Sequence, residues 1–281
     1  MHPFDRAIAV RTAGDGAYDA DLDPAWSSLS GIHGGYLGAV AARAMTEALP
    51  ADGVALRTLT ATFLRRTDAA PATLHVGVLR AGRALTTLRA DVEQGGAITA
   101  TFHGTFAADL EGPVFARPSL VPPDPLHRRR FDAPAGVRHF DNLDIELDGR
   151  WYPFDGGPVA RLAGWLAPLV PRPLDAAWLV MAADVLPPTS FVTARAPEGG
   201  RTLDYAITLL ADPARFDAQV LTVAFESELA GGGMAVERGV LWAGSEVVAT
   251  ATQTRFTARS SRISLPLERA ALEEAIGAVA R

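Results

Sequence analysis

A chain that states one order of elements twice can fold only as two like units packed together, and this sequence does so. Residues 34–49 place small and apolar side chains at helical spacing and run into Pro50. ALRTLTATFL (55–64) then alternates as a strand does. TLHVGVLRAGRALTTLRADVEQGGAITATFHGTFA (73–107) reads as three more strands, with turns at Ala81-Gly82 and Gly95-Gly96. The second half repeats the order. Residues 174–186 form the helix, stopped by Pro187-Pro188, and RTLDYAITLL (201–210) is the next strand. The stretch 219–258 supplies three strands with glycines at the turns. Arg57-Thr58-Leu59 matches Arg201-Thr202-Leu203 at an offset of 144, and ITATFHGTF (98–106) matches VATATQTRF (248–256) at 150. Loop insertions in one copy produce such a drift.

The expected fold class is α+β, each half a long central helix against an antiparallel sheet. The boundaries are 1–110 for the first repeat, 111–150 for a linker and 151–281 for the second. The linker holds six prolines between positions 113 and 134 and the run Arg128-Arg129-Arg130, read as a solvated charge run. SLPLERAALEEAIGAVAR (264–281) has the spacing of an amphipathic terminal helix.

Composition removes whole classes of chemistry. There is no cysteine, which excludes disulfides, thiolate nucleophiles and Cys-ligated metals. All 26 basic residues are arginine, which removes phosphate-loop and Schiff-base lysines. A net charge of −6 gives no electrostatic case for nucleic acid or an anionic membrane as partner. The six histidines, at 2, 33, 75, 103, 127 and 139, lack metal spacing, and no GxSxG elbow occurs. No apolar run reaches the roughly 18 residues of a membrane span. The N-terminus has no signal-peptide pattern, so the expected location is cytoplasmic. Neither a metal nor another cofactor is expected.

Only the second copy carries an acid in its apolar helical run, Asp184 in WLVMAADVLPP. A carboxylate there faces the negative end of the helix dipole, and burying it unpaired is costly. It is either a solvent-facing or loop-bonded residue, or a functional one. Thr202 and Gln253 are ordinary strand residues taken singly. Asp204, two residues beyond Thr202, shares its face by strand alternation and is a second candidate carboxylate, or a salt-bridged sheet residue. His33-Gly34-Gly35 opens the first helix. Glycines there expose backbone N–H groups at a helix N-terminus, a place that suits a developing oxyanion, or else they form a tight turn capped by His33. In the first copy, Ala42 or Arg43 matches Asp184, His103 matches Gln253, and Thr58 matches Thr202. Glu47 lies one turn on, as a substitute acid or a solvated residue.

HGGYLGAVAARA, RPLDAAWLVMAADVLPP, RTLDYAI and VVATATQTRF resemble the acyl-CoA thioesterase II family and its thioesterase-like relatives, over residues 20–258. The resemblance implies a double hotdog, two fused hotdog repeats, and hydrolysis of an acyl-CoA in fatty acid metabolism without a metal. It places the water-holding set of an Asp, a Thr and a Gln on Asp184, Thr202 and Gln253, with Asp184 as general base or orienter of the water. The glycine-rich helix start gives His33, Gly34 and Gly35 to substrate binding, the missing acid of the first copy leaves one site per chain, and the double hotdog makes a homodimer or higher homo-oligomer the expected assembly. Two other functions compete: a hotdog hydratase or dehydratase, which wants a histidine beside the acid, and a non-catalytic acyl-CoA-binding protein. The second half contains no histidine, so one would have to cross from the first.

Overall fold

A computed structural model describes residues 1–50, 53–108, 113, 115, 118–195 and 200–257. The expected terminal helix at 264–281 lies outside the described residues. The first half runs α1 (Pro3–Ala7), β1 (Val10–Gly14), β2 (Ala17–Asp21), β3 (Ser27–Ser28), β4 (Gly31–Ile32), α2 (Gly34–Glu47), β5 (Ala55–Phe63), β6 (Pro71–Ala81), β7 (Leu85–Gln94) and β8 (Ala97–Ala107). Next come β9 (Arg128–Arg130), β10 (Leu143–Asp148), β11 (Arg161–Pro168), α3 (Ala176–Ala182), α4 (Ser190–Thr193), β12 (Arg201–Leu209), β13 (Leu221–Gly231), β14 (Met234–Ala243) and β15 (Glu246–Phe256).

Among the described residues, one antiparallel sheet of 13 strands runs β1-β2-β6-β7-β8-β5-β12-β15-β14-β13-β11-β10-β9. Its centre is the β5–β12 pair, where the two halves join, with Leu59 opposite Ile207. Each half therefore carries more strands than the four read from its sequence: β1 and β2 beyond β6, and β11, β10 and β9 beyond β13. The proline-rich stretch is not bare connection. It supplies β9 and β10, and the three arginines of β9 are exposed, with Arg128 on Glu146 and Arg129 on Asp155.

The register irregularities show the repeat most sharply. β6 slips against β7 between Val78 and Arg80, and β13 against β14 between Ser227 and Leu229. β7 slips against β8 between Val92 and Glu93, and β14 against β15 between Leu241 and Trp242. In both, each residue of the second half stands 149 positions after its counterpart. Bulges are built features, and matched bulges mean matched folds. They also revise the alignment. β5 bulges between Leu56 and Thr58 opposite Phe106 and Thr105; β12 bulges between Thr202 and Asp204 opposite Arg255 and Thr254. Thr202 thus corresponds to Leu56, not Thr58, and Gln253 to Gly104, not His103. A one-residue slip turns a strand side chain to the other face, and His103 is exposed.

α2 and α3 pack against each other over the sheet. α2 is buried almost all round, from Tyr36 through Met45 except Arg43, as a central helix must be. Both helices are capped alike: His33 Nδ1 accepts from Tyr36 N at 3.2 Å, and Asp175 Oδ1 from Trp178 N at 2.7 Å. Gly35 lets them touch, since a Cβ there would lie 2.5 Å from the Met181 carbonyl oxygen. No helix among the described residues is long and apolar enough to cross a membrane.

Candidate active site

α3 ends at Ala182, short of the expected 186, so Asp184 sits just past the helix rather than within it. Pro187 bars helical geometry from Leu186. The carbonyls a longer helix would have used are taken by side chains instead. Gln253 Nε2 donates to Ala183 O (2.5 Å), His33 Nε2 to Asp184 O (3.0 Å) and Arg255 Nη2 to Leu186 O (3.4 Å). The residues that surround Asp184 therefore also hold the turn that presents it.

Asp184 is 5% exposed. Its Oδ2 accepts the Gly35 N–H at 3.0 Å, and its Oδ1 accepts the Thr202 hydroxyl at 3.1 Å. Arg255 Nη2 stands 3.8 Å from Oδ1, and His33 Nε2 stands 3.7 Å from Oδ2. Gly34 is closely covered on this side: a Cβ would lie 2.7 Å from Oδ2 and 2.7 Å from Phe63 Cζ. Burial pushes the Asp184 carboxyl above the ordinary carboxylate range; Arg255, the Thr202 hydroxyl, the Gly35 N–H and His139 pull back.

Of the residues expected from the sequence, Asp184, Thr202, Gln253, His33, Gly34 and Gly35 all converge here, across both halves. Gln253 is buried, and its Nε2 faces a carbonyl, so its Oε1 is the end left without a partner. The Tyr205 hydroxyl, one strand over, is likewise buried and unpartnered. The other candidates fall away. Asp204 is exposed because the bulge after Thr202 breaks the alternation. Glu47 is exposed and paired with Arg43.

His33 crosses from the first half to reach Asp184, but both its nitrogens are committed. Nδ1 accepts a backbone N–H, so the proton is on Nε2, which gives it to the Asp184 carbonyl. Burial lowers its pKa to about 4, against the help of that carbonyl and with Arg255 adding to the fall. His139 stacks on it, ring centroids 4.1 Å apart, and burial followed by His33 lowers its pKa to about 2. Among the described residues, no three His, Asp or Glu side chains converge as metal ligands.

Sequence reasoning missed Arg255, Glu237 and His139. Arg255 lies two residues beyond Gln253, so strand alternation could have flagged it. The structure also shows what the first half has in place of the site: Leu56 for Thr202, Gly104 for Gln253, Phe106 for Arg255 and Leu88 for Glu237. Counting from the matched caps, Ala42 stands for Asp184. The space is filled with apolar atoms, Met45 Sδ lying 2.8 Å from where a Gly104 Cβ would be.

Each half of this repeated fold matches a family model. The acyl-CoA thioesterase N-terminal domain matches residues 22–107, and the acyl-CoA thioesterase C-terminal domain matches 118–256. The chain belongs to the acyl-CoA thioesterase family. It is a thioester hydrolase with the hotdog fold of that family, which acts on acyl-CoA. Among solved structures, a hotdog-fold protein of Alicyclobacillus acidocaldarius is 23% identical, with TM-score 0.85, covering 93% of this chain and 100% of its own. The acyl-CoA thioesterase II TesB2 of Mycobacterium marinum is 19% identical, with TM-score 0.73, covering 92% and 99%. The tesB protein of Mycobacterium avium subspecies paratuberculosis is 18% identical, with TM-score 0.73, covering 91% and 98%. A comparison with curated proteins gives no significant match.

Proposed function

We propose that this thioesterase hydrolyses its acyl-CoA by direct attack of a water that Asp184 activates and that Thr202 and Gln253 help to place. The observation that carries this reading is a buried carboxylate fixed at both oxygens, with the Gln253 amide held on the carbonyl of the preceding residue, Ala183, and its own oxygen left without a partner. A water between them gives one hydrogen to Asp184 and one to Gln253 Oε1, and its free lone pair faces the thioester carbon. Thr202 acts through Asp184, fixing its Oδ1. As the tetrahedral intermediate forms, negative charge moves to the thioester oxygen. Gly34 N–H, at the N-terminus of the 14-residue α2, has no acceptor among the described residues and is the donor placed to receive it. Collapse breaks the C–S bond, and the proton held by Asp184 goes to the departing thiolate. No metal enters these steps.

His33 and Gly35 serve the acid rather than the substrate: one holds its backbone carbonyl, the other its side chain. The hydratase reading needs a histidine with a free lone pair: His33 has none, which leaves it to His139, whose Nδ1 meets the Ser27 carbonyl and whose Nε2 is buried without a partner.

The test is a single turnover in H₂¹⁸O with enzyme in excess. Direct attack puts ¹⁸O into the first acid released. An acid lacking the label would mean that a carboxylate of the enzyme attacked and formed an anhydride, which would overturn the water mechanism.

A further inference from the structure

Arg255 and Glu237 form a buried ion pair that none of the chemistry above explains. Nε to Oε2 is 2.7 Å, and Glu237 is 1% exposed. Glu237 Oε1 accepts both the N–H (2.7 Å) and the hydroxyl (2.9 Å) of Thr189. Arg255 Nη1 donates to Thr202 Oγ1 at 3.0 Å. A guanidinium only donates, so that oxygen must accept, and its one hydrogen is left for Asp184 Oδ1. Removing the arginine would free the hydroxyl to rotate away.

The first repeat supplies an independent observation. Leu88 and Phe106 occupy the places of Glu237 and Arg255, and both are buried. The architecture closes around an apolar pair at this point, and a buried ion pair seldom outdoes one in stability. The charges stand in the half where the carboxylate stands.

We propose that Arg255 is a positioning residue for the thioesterase reaction: it fixes the Thr202 hydroxyl on Asp184 and keeps Asp184 ionised, and Glu237 tempers its charge. This rests on Asp184 being the base. The groups facing Asp184 are His33 at the head of α2, His139 from the segment before β10, Tyr205 on β12 and Arg255 on β15. The two histidines are neutral, so Arg255 is the one permanent cation that the described residues place within 4 Å.

The test is the acid limb of the kcat–pH profile for acyl-CoA hydrolysis. Arg255→Gln removes the cation, so the limb moves up by about 1–3 pH units. Glu237→Gln gives Asp184 the full arginine charge, so the limb moves down. Opposite shifts are not what loosened packing produces. Arg255→Lys keeps a charge but lacks the fork to reach Thr202 and Glu237 together, so kcat falls while the limb stays near that of wild type. The double variant Glu237→Leu/Arg255→Phe rebuilds the first repeat's pair. It folds with a Tm at or above wild type, and its limb moves up. Limbs unmoved in the variants overturn the proposal, as does a double variant with wild-type kcat and profile. Asp184→Asn, run alongside, separates the two failures. If it is inactive while the limbs stay put, the network proposal alone fails; if it turns over at the wild-type rate, the base fails and takes the network with it.

Discussion

Asp184 is caught between opposing influences, and the balance sets two pH dependences. Burial raises its pKa more than Arg255, Thr202 and the Gly35 N–H lower it. A general base works ionised, so kcat must fall as the pH drops through a value above the ordinary carboxylate range. A kcat–pH profile reads this directly. His33 sets the second dependence. Its pKa falls from 6.5 unfolded to about 4 folded. A depressed histidine adds stability above 6.5, and that stability is lost as the pH falls toward 4. The change is on the order of 3 kcal/mol for this one group. His139, depressed to about 2, adds a loss of the same sign over the same range, so the share of His33 is read as the amount by which His33→Asn reduces the difference in denaturant unfolding between pH 7 and pH 4. Asp184, Thr202 and Gln253 were legible in the sequence because an acid in an apolar run is costly and the family pattern names its companions. Glu237 was not: a charge in an alternating strand reads as solvent-facing until its buried partner is known. His139 lies among prolines with no periodicity to place it.

At the scale of elements, α2 is both the central helix and the wall of the site, and its glycines decide the fit. A Cβ on Gly35 would lie 2.5 Å from the Met181 carbonyl and 3.1 Å from Asp184 Cβ. Backbone cannot step aside as a flexible side chain can. Gly35→Ala should therefore cost about 1–3 kcal/mol, and kcat should fall with it because the N–H that holds Asp184 shifts. Thermal unfolding and steady-state kinetics on one preparation show whether the two losses travel together. The helix–strand order of each half could be read from periodicity and turn glycines. The lengths could not. Pro187 marks the stop locally, but that α3 ends at Ala182, with side chains from β15 and from His33 holding the carbonyls of Ala183, Asp184 and Leu186 beyond it, is a tertiary effect no local pattern carries. The pairing of the repeats was one residue out because bulges leave no mark in an alternating strand.

At the scale of the whole molecule, the sheet joins two halves and the candidate site draws on both, yet the first half lacks the polar set. Where the second half has Asp184, Thr202 and Gln253, the first has Ala42, Leu56 and Gly104. A non-hydrolysable acyl-CoA thioether titrated calorimetrically should bind with a stoichiometry of one per chain; two would mean that the first half has kept a working pocket. The central claim is that Asp184 makes the water a nucleophile. It is tested most directly by thiol release from a panel of acyl-CoAs, short to long and aryl, with wild type and Asp184→Asn side by side. The account predicts turnover of at least one member by wild type, and a folded Asn variant slower by about 10²–10⁴. Equal rates from the two proteins would contradict it.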